Sequence, residues 1–506
     1  VTWLESACNR CNIQLQYSET SSDEKSIRMV QKALKSRKRW LQPLCRLIQQ
    51  EIFLVILFVI FGAIHGFSSE QEIAPRESYA VVTEHDWQRL VHRARLAGLR
   101  IFESDHLVLI TDQASRVGDA LEGLPEIFDE AVKVWASHYR IPLSAVQKWK
   151  VCGCLVVDRE RFRKAGLLPD AIPDFVNGYC DHYRFWLTEQ SNPAYQRHLL
   201  LHEGVHAFTA TLLNLNTPTW YTEGIAEWLA THRLVEAPPQ FKHTPIPVTP
   251  EDVEQLGRIE MIRRLRRSTK APSLDEVFAL KPTLHGTVSS YASAWAVVAF
   301  LAGHPRYQEA FALTEQQPLD AGFTRRLKGQ PGWNSAAARR DFDAFTADLD
   351  YGFDCSRMTI NWSSGRRIPV AGATSTVTAT HGWQNSGWQL EAGRQYQLRV
   401  SGHCRVGQLQ RADGLLDLES TAVGISIDWY RGLPLGRLLI AQWDDKPDSG
   451  GRPKFKVLAE GGATTFTAVS NSPMFLKINN RPSNLSLSDG QLTVNIGRKG
   501  DSFPSR

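Results

Sequence analysis

His202-Glu203-Gly204-Val205-His206 sits inside an apolar run, with Leu199-Leu200-Leu201 before it and Ala207-Phe208 after it. On a helix, histidines at i and i+4 point the same way, one turn apart. At that spacing two imidazoles can grip one zinc ion. The intervening glutamate then lies beside the open coordination position, where it can take a proton from water. With 15 histidines in 506 residues, the chance expectation for such a pattern is on the order of 0.02–0.03 per chain. The pattern therefore predicts a buried helix with a metal on one face.

Local signals place this helix in a mixed chain. Leu107–Thr111 reads as a strand, residues 119–138 as an amphipathic helix and Lys150–Val157 as a second strand. Aromatic Tyr179–Leu187 reads as a third strand. Asn192-Pro193 starts the motif helix, which runs from Ala194 to Leu213. A turn at Asn216–Thr219 leads into a helix over Tyr221–Thr231. Five prolines between residues 236 and 250 predict a surface loop, and Thr249-Pro250 restarts a helix. Residues 251–350 read as mostly helical. Beyond residue 360 short alternating segments such as Tyr396–Val400 and Leu492–Ile496, separated by Gly- and Asn-rich turns, predict an all-β sandwich.

Charge is unevenly placed. Residues 1–66 hold nine Lys/Arg and five Asp/Glu, which leaves 49 against 48 in the remainder. A near-neutral body gives no support for nucleic-acid binding. The one dense basic run, Arg263–Arg267, reads as a solvated helix face rather than a binding patch. The basic excess instead precedes an apolar stretch, Ile52–Phe61, in the arrangement of a signal peptide. Residues 29–66 thus form a signal peptide or an uncleaved membrane anchor. Residues 1–28, ahead of Met29, read as an extension from a misassigned start or a disordered segment, and residues 67–85 as a polar linker. The expected location is outside the cytoplasm: periplasmic, cell-surface or extracellular. Five cysteines follow the signal segment. Cys152 and Cys154 share one side of a strand, where one of them pairs with Cys180 or all remain buried thiols.

A catalytic zinc needs a third protein ligand and a position left for water. Trp220-Tyr221-Thr222-Glu223-Gly224-Ile225-Ala226-Glu227 offers carboxylates on a following helix. His-Glu-x-x-His followed by Trp-x-x-Glu-Gly-x-Ala-Glu resembles the gluzincin metallopeptidases, and within them a group of secreted bacterial proteins. The specific match covers residues 195–232, and a looser one extends over 86–350, within a domain expected to span 86–360. The resemblance implies an α+β zincin-like fold with Glu223 as third ligand beside His202 and His206. It also implies Glu203 as general base and a peptide or protein as substrate. Glu227, one turn past Glu223, is expected to hold a ligand histidine from behind. His198 lies about 12 Å along the helix from His206, too far to share its ion, and is expected to pack or to support a ligand. Tyr291 and His232 are the candidates for stabilising negative charge on the carbonyl oxygen.

The C-terminal part, 365–506, carries Pro434-Leu435-Gly436, Phe475–Ser483 and Leu492–Ile496. These resemble small calcium-dependent galactose-binding lectins of the PA-I-like type, which implies a carbohydrate partner. In that family an Asp and two later Asn residues hold calcium. Here the matching positions carry Asn480, Leu487 and Ser488, and the lost carboxylate and side-chain oxygen weaken such a site sharply. Trp383, Trp388, Trp429 and Trp443 are expected to pack in the core or on the surface rather than stack on sugars.

The expected function is zinc-dependent hydrolysis of peptide bonds. Hydrolysis of a non-peptide amide fits the same residues. So does a non-catalytic carbohydrate- or protein-binding protein with a zinc-stabilised fold, although such a scaffold needs the histidines and not Glu203.

Overall fold

The structure is a computed structural model and describes residues 84–114, 121–235, 240–254, 257–268, 270–282, 287–412, 414–447 and 451–500. The signal or anchor segment, the residues before it and linker residues 67–83 lie outside these. Among the described residues no helix is long and apolar enough to cross a membrane.

The N-terminal half is built on one mixed sheet. Its elements are α1 (Glu84–Leu96), β1 (Arg100–Glu103), β2 (Leu107–Thr111), α2 (Leu124–His138), α3 (Leu143–Val146), β3 (Val151–Val156), α4 (Arg159–Lys164), β4 (Gly178–Asp181) and β5 (Arg184–Thr188). The strand order is β1-β2-β3-β5-β4. The central pairs β2/β3 and β3/β5 are parallel, while the outer pairs are antiparallel. Side chains alternate across a strand, and the sheet is apolar on both faces. Leu107 and Leu109 join the larger core, and Val108 and Ile110 join a second one with Trp87, Leu90 and Phe162 from α1 and α4. Cys152 and Cys154 lie together in that second core as free thiols, and Cys180 is also unpaired.

The larger core is closed by helices. They are α5 (Pro193–Leu213), α6 (Thr219–Ala230), α7 (Arg258–Arg267), α8 (Leu274–Phe278), α9 (Val288–Gly303), α10 (Gln308–Glu315), α11 (Phe323–Lys328) and α12 (Ser335–Asp348). Between α6 and α7 lies a hairpin, β6 (His232–Val235) and β7 (Gln240–His243). α5 is buried almost all round, as the apolar run around its motif requires.

Three local expectations are corrected. Tyr179–Leu187 is not one strand but the β4–β5 hairpin, turned at His182 in the left-handed region (φ 54°). The proline-rich stretch is not wholly loop, because β7 pairs with β6 before the prolines at 245 and beyond. The Thr249-Pro250 signal opens only a single 3-10 turn, Glu251–Val253, and the helix begins at Arg258.

The C-terminal part is all β. Its strands are β8 (Arg366–Arg367), β9 (Ala373–Thr378), β10 (Gln384–Gln389), β11 (Gln395–Ser401), β12 (Cys404–Arg411), β13 (Gly414–Ser420), β14 (Ile425–Tyr430), β15 (Leu433–Leu435), β16 (Leu438–Asp444), β17 (Lys454–Glu460), β18 (Ala463–Thr467), β19 (Pro473–Ile478) and β20 (Asp489–Arg498). One sheet runs β17-β16-β19-β10-β8 and the other β13-β12-β20-β11-β18, with β9 also on β20. Val377, Leu398, Leu492 and Val494 from one meet Leu438, Ile440 and Leu476 from the other. Buried charge fastens this module to α12. Asp348 takes Lys477 Nζ at 2.8 Å and Arg431 at 2.7 Å, and Asp343 is held by Arg452 and Arg266. The architecture is thus α+β followed by all-β.

Candidate metal centre

Asn192 starts α5 by accepting the backbone N–H of Ala194 and Tyr195 at 2.8 and 3.1 Å. Asn214, in the left-handed conformation, ends it. Between them His202 and His206 project toward α6. Two glycines set the approach of neighbouring helices. A Cβ on Gly204 would overlap the rings of Phe128 and Trp135 on α2. One on Gly224 would meet Ala294 O at 2.6 Å and Val298 Cγ2 at 2.8 Å on α9. Close packing of α6 on α9 carries Tyr291 to His202, edge to face, with ring centroids 5.9 Å apart.

The predicted ligands come together. Glu223 Oε2 lies 3.4 Å from His202 Nε2 and 3.4 Å from His206 Nε2, and the two Nε2 atoms are 3.1 Å apart. Two donors on a tetrahedral zinc at about 2.0–2.1 Å stand about 3.4 Å from each other. The donor set and its spacing therefore fit a zinc ion. His202 is buried, whereas the Glu223 side chain is 27% exposed, so the centre opens toward solvent on one side, where water or a substrate can enter.

Behind the centre, Glu227 on α6 faces His202. Its Oε1 is 3.4 Å from His202 Nδ1. His198 Nε2 donates to Glu227 Oε2 at 3.1 Å, and Arg258 grips both oxygens at 2.8 Å. A carboxylate facing Nδ1 favours the tautomer whose Nε2 lone pair points at the centre. His198, His202 and Glu227 also lie close enough to form a second metal-ligating group. With Arg258 occupying both Glu227 oxygens, the first trio is the better site. Arg258, on α7, is a participant the sequence did not reveal, since it lies far along the chain in a segment with no motif.

The two carboxyls nearest the centre are tuned apart. Burial pushes Glu203 up to about 7; the neighbouring Glu223 and Glu227 charges add to this, and His206 opposes it. Burial also acts on Glu223, but the adjacent His206 and His202 outweigh it and hold that carboxyl far below the usual range. One group can thus exchange a proton near neutrality while the other stays ionised. Glu203 itself packs under the start of β4, where a Cβ on Gly178 would overlap its carboxylate. Cys180, on the same strand, has its thiol pushed up by burial and by Glu203.

His232 is not brought to the centre. Its Nε2 accepts from Arg197 Nε at 2.7 Å, its Nδ1 donates to Ala230 O at 2.7 Å, and its ring stacks on Phe241. Burial, then Arg197, holds it neutral, down to about 3.

The lectin-like loop is arranged differently. Asn480 is buried, and its amide donates to Val406 O at 2.8 Å and Ser488 Oγ at 3.0 Å, while its Oδ1 accepts the Arg481 N–H. Both ends of the Asn480 side-chain amide are thus engaged within the protein. Among the described residues the sandwich contains no group of side chains arranged to ligate a metal. Trp383 and Trp443 are buried in the sandwich and Trp388 is half-buried, whereas Trp429 is exposed.

No described protein family and no curated protein matches this chain. Among solved structures it is similar to one described as "EclA N-terminal domain; PllA-like lectin". The match covers 26% of this chain and 100% of that one, at 15% identity and a TM-score of 0.18. A likeness that slight carries neither fold nor ligand across.

Proposed function

We propose that this chain is an exported zinc metallopeptidase of gluzincin type, with a zincin-like catalytic half and a β-sandwich attached to it. The observation that carries this reading is the convergence of His202 Nε2, His206 Nε2 and Glu223 Oε2 within 3.4 Å of one another, beside a buried Glu203. Zinc held by these three residues supplies Lewis acidity, polarising a carbonyl oxygen and making water a stronger acid. The chain supplies the rest. Glu203 accepts the proton of the attacking water and delivers it to the leaving amine nitrogen. Glu227, anchored by Arg258, fixes the His202 ring. Tyr291, whose ring packs edge to face on His202, is the candidate donor to the developing oxyanion. His232, with both nitrogens engaged, has no part in this scheme.

The position of β4 supports a peptide as substrate. It is the outermost strand of its sheet and begins at Gly178, against Glu203. An extended chain added to that edge lies across the centre. The test is cleavage of a peptide library by the purified protein, before and after chelation and after zinc is restored. Cleavage that disappears with chelation and returns with zinc supports the reading. Zinc binding without cleavage of any peptide, amide or ester sinks it in favour of a binding protein.

A further inference from the structure

The run Arg263–Arg267 is not one solvated face. Arg263 and Arg266 turn inward, to Asp350 at 3.1 Å and to Asp343 at 3.3 Å. Both acids are buried, and both are shared with the β-sandwich. Asp343 also takes Arg452 through Nε at 2.9 Å and Nη2 at 2.8 Å, and Asp350 accepts the Tyr430 hydroxyl at 2.9 Å. Arg266 reaches the sandwich directly as well, donating Nη2 to Pro453 O at 2.5 Å. Near the other end of the same helix Arg258 grips Glu227, which faces His202. Arg258 and Arg266 stand about 12 Å apart along α7.

What holds α7 in place therefore matters at the metal centre. Its fully buried apolar side chains are Ile259 and Ile262. Apolar burial is non-directional, so two isoleucines set the depth of the helix but not its rotation or its position along its axis. Hydrogen-bonded ion pairs are directional, and those of Arg263 and Arg266 fix both. When Arg266 lets go, α7 is free to turn or slide, and Arg258 carries that displacement to Glu227. The contact at risk is the 3.4 Å approach of Glu227 Oε1 to His202 Nδ1, because hydrogen bonds weaken steeply as geometry is lost. α9 is tied in the same direction. Tyr291 near its start meets His202, and Phe300 near its end packs on Phe342 and Phe345 of α12, ring centroids 5.5 Å apart in each pair.

We propose that the β-sandwich helps to position the zinc site, with Arg266 as a positioning residue that sets Glu227, and with it the His202 ring, through α7 and Arg258. The assignment rests on the zinc reading above and goes beyond it. It makes the sandwich a strut of the catalytic half rather than a module that acts alone.

The full chain is compared with Arg266→Met, Arg266→Lys and a control, Val494→Ala, whose site lies in the sandwich core away from α7 and α12. Arg266→Met leaves Asp343 paired with Arg452, so no buried charge is stranded. Zinc affinity is read by competition with a chromophoric chelator, and ligand geometry by the visible spectrum of the cobalt-substituted protein. Arg266→Met is expected to weaken zinc binding about threefold to thirtyfold and to shift the cobalt bands. Arg266→Lys should recover part of both, and Val494→Ala should lower the melting temperature with neither change. The effect of Arg266→Met should vanish when Glu227→Gln is already present, because the path ends on that carboxylate. Additive losses in the double variant, a loss in the control equal to that in Arg266→Met, or unchanged zinc affinity overturns the proposal. Amide exchange of the metal-free proteins separates it from the zinc reading. Faster exchange in α6 of Arg266→Met than of Val494→Ala, with no zinc bound by the wild type, retains the strut and sinks the zinc site. Equally tight zinc in every protein with equal exchange does the reverse.

Discussion

The α5–α6 centre and the 480–488 loop of the sandwich both carry residues of a known kind of ligand site, but their polar atoms are engaged differently. At the centre, two imidazole nitrogens and a carboxylate oxygen converge, and the donors Arg258 and His198 stand behind them on Glu227. In the loop, Asn480 donates its amide protons to Val406 O and Ser488 Oγ, and its Oδ1 accepts the Arg481 N–H. One arrangement gains from a cation, and the other has already met its own needs. A ligand motif is thus better judged by where its lone pairs and protons point than by which residues it contains.

The largest expected effect is at the centre. His206→Ala should weaken zinc binding by more than about a hundredfold, measured by competition with a chromophoric chelator. Wild-type affinity retained in that variant would break the contrast. Metal removal should act in the same direction. With zinc at a hundred times its dissociation constant, the wild type should gain about 2.7 kcal/mol of stability, seen as a raised melting temperature. Calcium should leave that temperature unmoved.

Glu227→Gln should lower zinc affinity by about ten- to a hundredfold, because Arg258 and His202 lose the charge between them. Unchanged affinity would mean that Glu227 serves only the fold. The smallest effect belongs to the loop. Asn480→Asp restores the carboxylate of the lectin pattern, yet Leu487 and Ser488 still supply no second side-chain amide. No calcium binding is expected by calorimetry. A loss of about 1–3 kcal/mol is expected as Val406 O loses its donor. Tight calcium binding by this variant would erase the distinction drawn here.

Much of this was legible in the sequence. β2 spans the residues expected, and β3, α5 and α6 lie within two residues of their predicted limits, because apolar periodicity and the Asn192 cap are local signals. His202 and His206 were readable as a pair because helix geometry converts spacing into direction; Glu223 joined them only through the gluzincin resemblance, and Glu227 through its place one turn past Glu223. The β4–β5 turn was not readable, since Asp181-His182-Tyr183 contains neither glycine nor proline. Arg258 was hidden because its partner lies 31 residues away with a hairpin between. The exposed character of Arg264 and Arg267 was suggested by the basic run, but which arginines of that run turn inward depends on Asp343 and Asp350. Those acids lie on the far side of a tertiary contact that no local pattern encodes.

The central claim is that the α5–α6 cluster holds zinc and that Glu203 moves the proton. The most direct measurement compares wild type with Glu203→Gln, assayed together for zinc by elemental analysis and for cleavage of a peptide library. The expected result is one zinc per chain in both proteins, with cleavage reduced by about 10²–10⁴-fold in the variant. Absence of zinc from both, or equal cleavage by both, would contradict it.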